Sequence, residues 1–310
     1  MYFESQDYKT LIMIIKRDFF SIFYKFLKNL KLKPLLGFGQ KLAAEGEVYL
    51  GLKRADHPPL LIYQMGKVGS TSVSRSLHAA GLKNYVFDIH FLSKDLIKYR
   101  NFYIDSGIVP VPYHIELGLA LRKRIINNNF NKLKIISMVR DPIARQISDV
   151  FQNPELMETN TKKSSGSLNT AKLFNSMEKK FSDASFYDYI FSWFDKELKA
   201  MFGIDVFSHP FDCDSGWTIY KADNVDALII RLEDLSRIGE DVISEFLGTP
   251  QKISLVSANV RSESQEAEAY RYVQNNFKID RAISEKIYDS RFARHFYSGD
   301  QIESMINRWI

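Results

Sequence analysis

Residues 60 to 80 read LLIYQMGKVGSTSVSRSLHAA, and they confine the chain to a short list of folds. An apolar run (60–65), a turn carrying two glycines and a lysine, and then a segment of helical composition predict a strand, a tight loop and a helix that stops at Gly81. That order aims backbone N–H groups and the positive helix end at whatever the loop holds, so the expected ligand is an anion, and phosphate fits. Gly66 and Gly69 permit close approach. Ser70, Thr71 and Ser72 add hydroxyl donors, and Lys67 adds a full positive charge.

The loop is not that of an ordinary nucleotide hydrolase. Those enzymes need G-x-x-x-x-G-K-[ST], with the lysine after the last glycine and the hydroxyl residue on magnesium; here Lys67 precedes Gly69, and the string occurs nowhere in the chain. The dinucleotide pattern G-x-G-x-x-G is missing too. Read alone, GKVGSTS is also compatible with a plain polar turn.

The rest of the chain extends the same theme. YVFDIHF (85–91), IVPVPYHI (108–115, the weakest), KIISMV (134–139) and ALIIRL (227–232) are further strand candidates separated by helical patterns, which predicts an α/β fold with a parallel sheet flanked by helices. Residues 153–180 are polar and read as an excursion from the core. Directly afterwards Phe186, Tyr189, Ile190, Trp193, Phe194 and Leu198 recur at helical spacing and are expected to face the core. No repeat or linker divides the chain. The expected organisation is an N-terminal helical extension (1–50) and one domain (51–310) carrying the 153–180 excursion.

Charge and cysteine content narrow the partners. The net charge of +5 favours anionic ligands without requiring nucleic acid. Cys213 is the one cysteine in the 310 residues, which rules out an internal disulfide and a thiolate metal cluster and suits a reducing compartment. Lys16, Arg17, Asp18, Lys25 and Lys28 interrupt the apolar N-terminal stretch, so it is not read as a membrane span, and no small-residue cleavage site marks a signal peptide. A cytoplasmic protein is expected. Its N-terminal helix either packs on the domain, the preferred reading, or lies as a basic amphipathic helix on the inner face of the membrane.

A second element lies in IISMVRDPIARQISDVF (135–151). A strand ending at Arg140, with Asp141 as N-cap and Pro142 as first helical residue, starts a helix there. Ser148 falls in its second turn, so Arg140 and Ser148 are expected to converge on one anion at the open edge of the sheet, where ligands of such sheets bind. Two phosphate-holding elements invite a ligand with two separated phosphates.

The combination resembles the sulfotransferase family, whose donor is 3′-phosphoadenosine-5′-phosphosulfate (PAPS). GKVGSTS looks like its 5′-phosphosulfate loop, Arg140 and Ser148 match its 3′-phosphate motif, and IIRLEDL (229–235) resembles a late strand-to-helix segment. A closer resemblance, through WFDKELKAMFGIDVF, PFDCDSGWTIY and RFARHFYS, is to bacterial capsular polysaccharide synthesis proteins, a sulfotransferase-like group. It implies a P-loop-like, sulfotransferase-like sheet, a carbohydrate acceptor, PAPS as donor and no metal. Lys67, Gly69, Ser70, Thr71, Ser72, Arg140 and Ser148 would bind the donor. Two departures stand: Ser72 occupies the place of a donor-stacking Trp, and the C-terminal Arg-Lys-Gly motif is absent, with Arg261 its candidate substitute.

Sulfuryl transfer is an in-line displacement in which charge builds on the leaving phosphate oxygen. Lys67 is the candidate to stabilise it, and a base must take the proton of the attacking hydroxyl. His114, at the end of a candidate strand, is the leading base; His90 competes, Glu116 is a third option, and His209 and His295 are less favourable. The rival readings are a metal-dependent glycosyltransferase using Asp212 and Asp214 of FDCDSG, and a non-catalytic polysaccharide-assembly protein. An ordinary Asp-rich turn is the plainer account of FDCDSG.

Overall fold

A computed structural model describes residues 33–53, 57–108, 110–127, 132–152, 170–256 and 265–310. The chain divides into two compact units, residues 1–50 with 94–128, and residues 51–93 with 129–310. In chain order the elements of both are helix α1 (Lys33–Lys53), strand β1 (Leu60–Tyr63), α2 (Ser70–Ala79), β2 (Val86–Ile89), α3 (Leu96–Asp105), α4 (Tyr113–Asn127), β3 (Leu133–Val139), α5 (Pro142–Gln152) and α6 (Thr170–Phe181). They continue with α7 (Asp188–Trp193), β4 (Trp217–Ala222), β5 (Val225–Arg231), α8 (Leu235–Leu247), α9 (Gln265–Asn276), α10 (Arg281–Tyr288), α11 (Arg291–Phe296) and α12 (Gly299–Trp309).

The second unit is built on a five-stranded sheet in the order β2-β1-β3-β5-β4. Four strands are parallel, and β4 pairs antiparallel with β5 at one edge. The composition explains the placement. LLIY of β1 and most of LKIISMV of β3 are buried on both faces, as central strands covered by helices must be. WTIYKA of β4 is half-exposed along most of its length and takes the edge, a strand that sequence patterning did not reveal.

Topology fixes where a ligand can sit. The chain leaves β1, crosses through α2 and pairs β2 on one side, whereas β3 lies on the other side of β1. The segments following β1 and β3 therefore diverge at their C-terminal ends and leave a crevice, the usual ligand position in open α/β sheets. Gln64–Gly69 and Arg140–Asp141 are those two segments.

Asp141 anchors the second of them. Its Oδ1 accepts the N–H groups of Ile143 and Ala144 at 2.9 and 3.3 Å, the N-cap role expected of it. The same buried carboxylate accepts the Tyr288 hydroxyl and the Trp309 indole N–H, both at 2.8 Å. Glu233, just beyond β5, accepts the Asp141 N–H at 2.9 Å and the Tyr297 hydroxyl at 3.3 Å. C-terminal helices are thereby tied to the start of α5.

In the first unit, Arg100 Nε meets Glu116 Oε1 at 3.0 Å, and the Tyr113 hydroxyl donates to Glu47. Here the expected third strand, 108–115, is corrected. Pro110 and Pro112 withhold two ladder donors, and Tyr113 already begins α4. The latter part of the 153–180 excursion is also ordered: α6 buries Leu173, Met177 and Phe181 at intervals of four, while 153–169 lie outside the described residues. Of the six residues expected to face the core after it, Ile190, Trp193, Phe194 and Leu198 are buried and Phe186 and Tyr189 are half-buried. No described helix is long and apolar enough to cross a membrane, and residues 1–32, the greater part of the expected extension, lie outside the described set.

Asp141→Asn should lower unfolding free energy by about 3 kcal/mol in urea titrations, because a charged acceptor serving four donors is lost. Tyr288→Phe, which removes one of those donors, should cost about 1 kcal/mol. An Asp141→Asn loss no greater than that of an average surface substitution, about 0.5 kcal/mol, would contradict the anchoring role.

Candidate anion-binding site

The loop between β1 and α2 is a tight backbone turn. Lys67 has φ 73°, the only positive value outside glycine among the described residues, and Gly69 follows at φ 89°, ψ 13°. Such a lysine carries a conformational cost of about 1 kcal/mol or more, which the surroundings must hold in place. Gly69 is required twice over: its φ suits glycine, and a Cβ there would lie 2.5 Å from Leu232 Cδ1. Helix α2 starts at Ser70, and its N-cap, Gly69, has no side chain to cap the first turn.

Two arginines set the direction of the loop peptides. Arg145 Nε donates to the Gly66 carbonyl and Arg140 Nη1 to the Lys67 carbonyl, each at 3.0 Å. In a trans peptide C=O and N–H point opposite ways, so fixing those oxygens turns the N–H groups of Lys67 and Val68 away from the guanidiniums. The carbonyls that would repel an anion are held by cations. Both arginines are themselves supported. Arg145 is 5% exposed, pairs with Asp149 at 2.7 Å and lies over the Tyr189 ring at 5.1 Å. Arg140 Nη2 donates to the Tyr270 hydroxyl at 3.1 Å, and Gln274 Nε2 donates to the same oxygen at 2.8 Å.

His90 enters from β2. Its Nδ1 lies 3.0 Å from the Gln64 carbonyl oxygen, a partner that only accepts, so Nδ1 carries a proton and in the neutral ring Nε2 has the lone pair. Nε2 and Arg145 Nη2 stand on the side-chain side of Gly66, 4.0 and 3.9 Å from where a Cβ would be. The backbone around His90 is pinned. Trp193 Nε1 donates to the His90 carbonyl at 3.1 Å, and buried Glu197 accepts the N–H groups of Leu92 and Ser93 at 2.8 and 2.9 Å. Glu197 sits in a π-helical turn, Phe194–Lys199, that continues α7. Such turns are frequent at functional sites.

Asp88, also on β2, completes the neighbourhood. Gln64 Nε2 lies 3.4 Å from its Oδ1. Burial raises its carboxyl to about 6, an effect that the nearby Gln64 and Ser70 only partly offset.

The predicted residues are thus distributed as follows. Lys67, Gly69, Ser70, Thr71 and Ser72 form the loop and the first turn of α2, with Arg140 and His90 against it; the Lys67 ammonium donates to Gln152 of α5. Ser148 is half-buried on α5. His114 does not end a strand but lies in the first turn of α4, in the first unit, as does Glu116, which Arg100 engages. Arg261 lies outside the described residues. His295 is committed elsewhere: its Nε2 is 3.1 Å from the Tyr220 hydroxyl, and burial lowers its pKa to about 4. Asp212 Oδ1 accepts the N–H groups of Asp214 and Ser215, a self-bonded turn. Arg145, Asp88 and Tyr270 were missed. The spacing of four between Arg145 and Asp149 was the available signal for the first; nothing local marked the others.

Gly69→Ala should destabilise the protein by about 2 kcal/mol or more in denaturant titrations, from the positive φ and the Leu232 clash. Asp88→Asn should be stabilising, and more so at high pH. The folded state holds the Asp88 proton more tightly than the unfolded chain between about pH 4 and pH 6, so native stability falls across that window and the penalty is complete above it. Unfolding near pH 8 should show a gain of up to about 3 kcal/mol over the native protein, and near pH 4 little gain. Equal gains at both would contradict the raised carboxyl.

Comparison with known proteins adds one family. Residues 167–298 match the family model described as "Putative capsular polysaccharide synthesis protein". No curated protein and no solved structure matches the chain significantly. The matched stretch contains Glu197, Arg231 and Glu233 but begins after α5, so the Lys67 loop and Arg140 lie outside it.

Proposed function

We propose that the chain is a PAPS-dependent sulfotransferase acting on a carbohydrate hydroxyl in capsular or cell-surface polysaccharide synthesis, with a sulfotransferase-like version of the α/β fold. The observation that carries this is the convergence of a lysine-bearing anion loop, Arg140 and the lone-pair nitrogen of His90 at one crevice of the sheet. The family description of residues 167–298 supports the polysaccharide context.

The residues fit such a donor. The α2 first-turn N–H groups with Ser70 and Thr71 would hold the 5′-phosphate end, and Arg140 with Ser148 the 3′-phosphate. The bound donor supplies the sulfuryl group. Lys67 places an ammonium beside the leaving oxygen, where charge develops. His90 is the better base, because it shares the unit of the loop and presents Nε2 over Gly66; it takes the proton of the acceptor hydroxyl. The glycosyltransferase reading leaves these groups without a task, and Asp212 is used by its own turn.

Calorimetry with 3′-phosphoadenosine-5′-phosphate should show binding that weakens about tenfold or more in Lys67→Ala and in Arg140→Ala, a loss of at least about 1.4 kcal/mol each. Asp214→Asn should bind like the native chain. No binding by the native protein would overturn the proposal, and equal binding by all variants would overturn the site. His90→Gln should keep ligand affinity and lower sulfuryl transfer about 10²- to 10⁴-fold, the usual worth of a general base.

A further inference from the structure

We infer that Arg145 is a further catalytic residue: its Nη2 faces the open space beside Gly66 and donates to an oxygen of the donor's sulfuryl group, both in the bound donor and during transfer. This rests on the proposed function and deepens its site. Arg145 is anchored through only part of its guanidinium. Nε donates to the Gly66 carbonyl and Nη1 to Gln146 and Asp149 of its own helix, whereas Nη2 has no acceptor among the described residues. The residue is 5% exposed, and a buried guanidinium nitrogen with unused N–H groups is uncommon unless a ligand supplies the acceptor.

Gly66 shapes the space in front of that nitrogen. A Cβ there would meet Arg145 Nη2 at 3.9 Å and His90 Nε2 at 4.0 Å and, the two chain neighbours aside, no other described atom within 4 Å. Gly66 lies outside the left-handed region, so its backbone conformation does not require glycine. What the missing side chain provides is room for a close approach, bounded by two nitrogens and directly preceding Lys67. A small group carrying oxygens and seated in that room touches both.

Sulfuryl transfer puts such a group there. The bond from sulfur to the 5′-phosphate oxygen breaks, and its electron pair stays on that oxygen, beside Lys67. The acceptor hydroxyl oxygen bonds to sulfur from the opposite side, and its proton goes to His90 Nε2. The three remaining sulfuryl oxygens lie between the attacking and leaving oxygens and share the charge of a loose transition state. Nη2 borders the same small space as Nε2, next to the residue at the leaving oxygen, so its acceptor is one of these three. Nε and Nη1 already hold the guanidinium in place, and the donor needs no reorganisation when charge develops.

The test compares two ligands that differ by the sulfuryl group, PAPS and 3′-phosphoadenosine-5′-phosphate, in calorimetry with the native chain, Gly66→Ala and Arg145→Lys. Gly66→Ala adds a methyl group at ordinary contact distance from its neighbours, so the variant should fold while filling the room. Arg145→Lys keeps a cation within reach of the Gly66 carbonyl but has no further nitrogen to extend past it. Both variants should bind 3′-phosphoadenosine-5′-phosphate within about twofold of the native chain and PAPS about tenfold or more weaker. Transfer by Arg145→Lys should fall about 10²-fold, the usual worth of one preorganised donor. Equal weakening toward the two ligands in Arg145→Lys would mean that the arginine only holds the loop, and native-like PAPS affinity in Gly66→Ala would mean that the room is unused. Either result overturns the inference and leaves the site standing. A native chain that binds neither ligand would overturn the proposed function as well. Should Arg145→Lys fail to fold, Gly66→Ala decides, since its methyl group separates Nη2 from the ligand.

Discussion

The fold of the second unit depends on one buried carboxylate. Asp141 stands where β3 becomes α5, and its two oxygens serve the helix N-terminus together with Tyr288 and Trp309 from the C-terminal helices. A buried charge of this kind is tolerable only when its acceptor capacity is filled. Filling it from both ends of the unit locks the start of α5 in orientation. Arg140 precedes it by one residue and Arg145 follows it by four, so the same lock aims both guanidiniums at the loop after β1.

Anion affinity at this crevice comes from peptide direction as much as from side-chain charge. Arg140 and Arg145 spend donors on carbonyls, yet a guanidinium has five, and turning the carbonyls toward cations leaves N–H groups and the α2 helix end for the ligand. Lys67 holds an unfavourable φ within that turn, and Gly69 is packed under Leu232 from the far side. Strain and close packing together keep the loop from relaxing into an ordinary turn.

Local patterning revealed a good part of this. The strand–glycine–helix order at 60–80, the N-cap at Asp141 and the buried Ile190, Trp193, Phe194 and Leu198 each follow from residue type and spacing, and the structure has them. What escaped depends on partners far apart in the chain. IVPVPYHI carries strand-like residues, but two prolines deny it a ladder and Tyr113 starts a helix, which moved His114 from a strand end into α4. WTIYKA is a strand because β5 lies beside it. Arg145, Asp88 and Tyr270 gain their places from contacts with Gly66, Gln64 and Arg140, across 79, 24 and 130 positions of sequence respectively.

The central claim is that this crevice moves a sulfuryl group. Incubating the purified native chain with PAPS carrying radiolabelled sulfate and a panel of capsular oligosaccharides tests it most directly. Alkali-stable label in the saccharide, absent with Lys67→Ala, is the predicted result. Unlabelled saccharide from a native chain that consumes nucleotide sugars instead would contradict it.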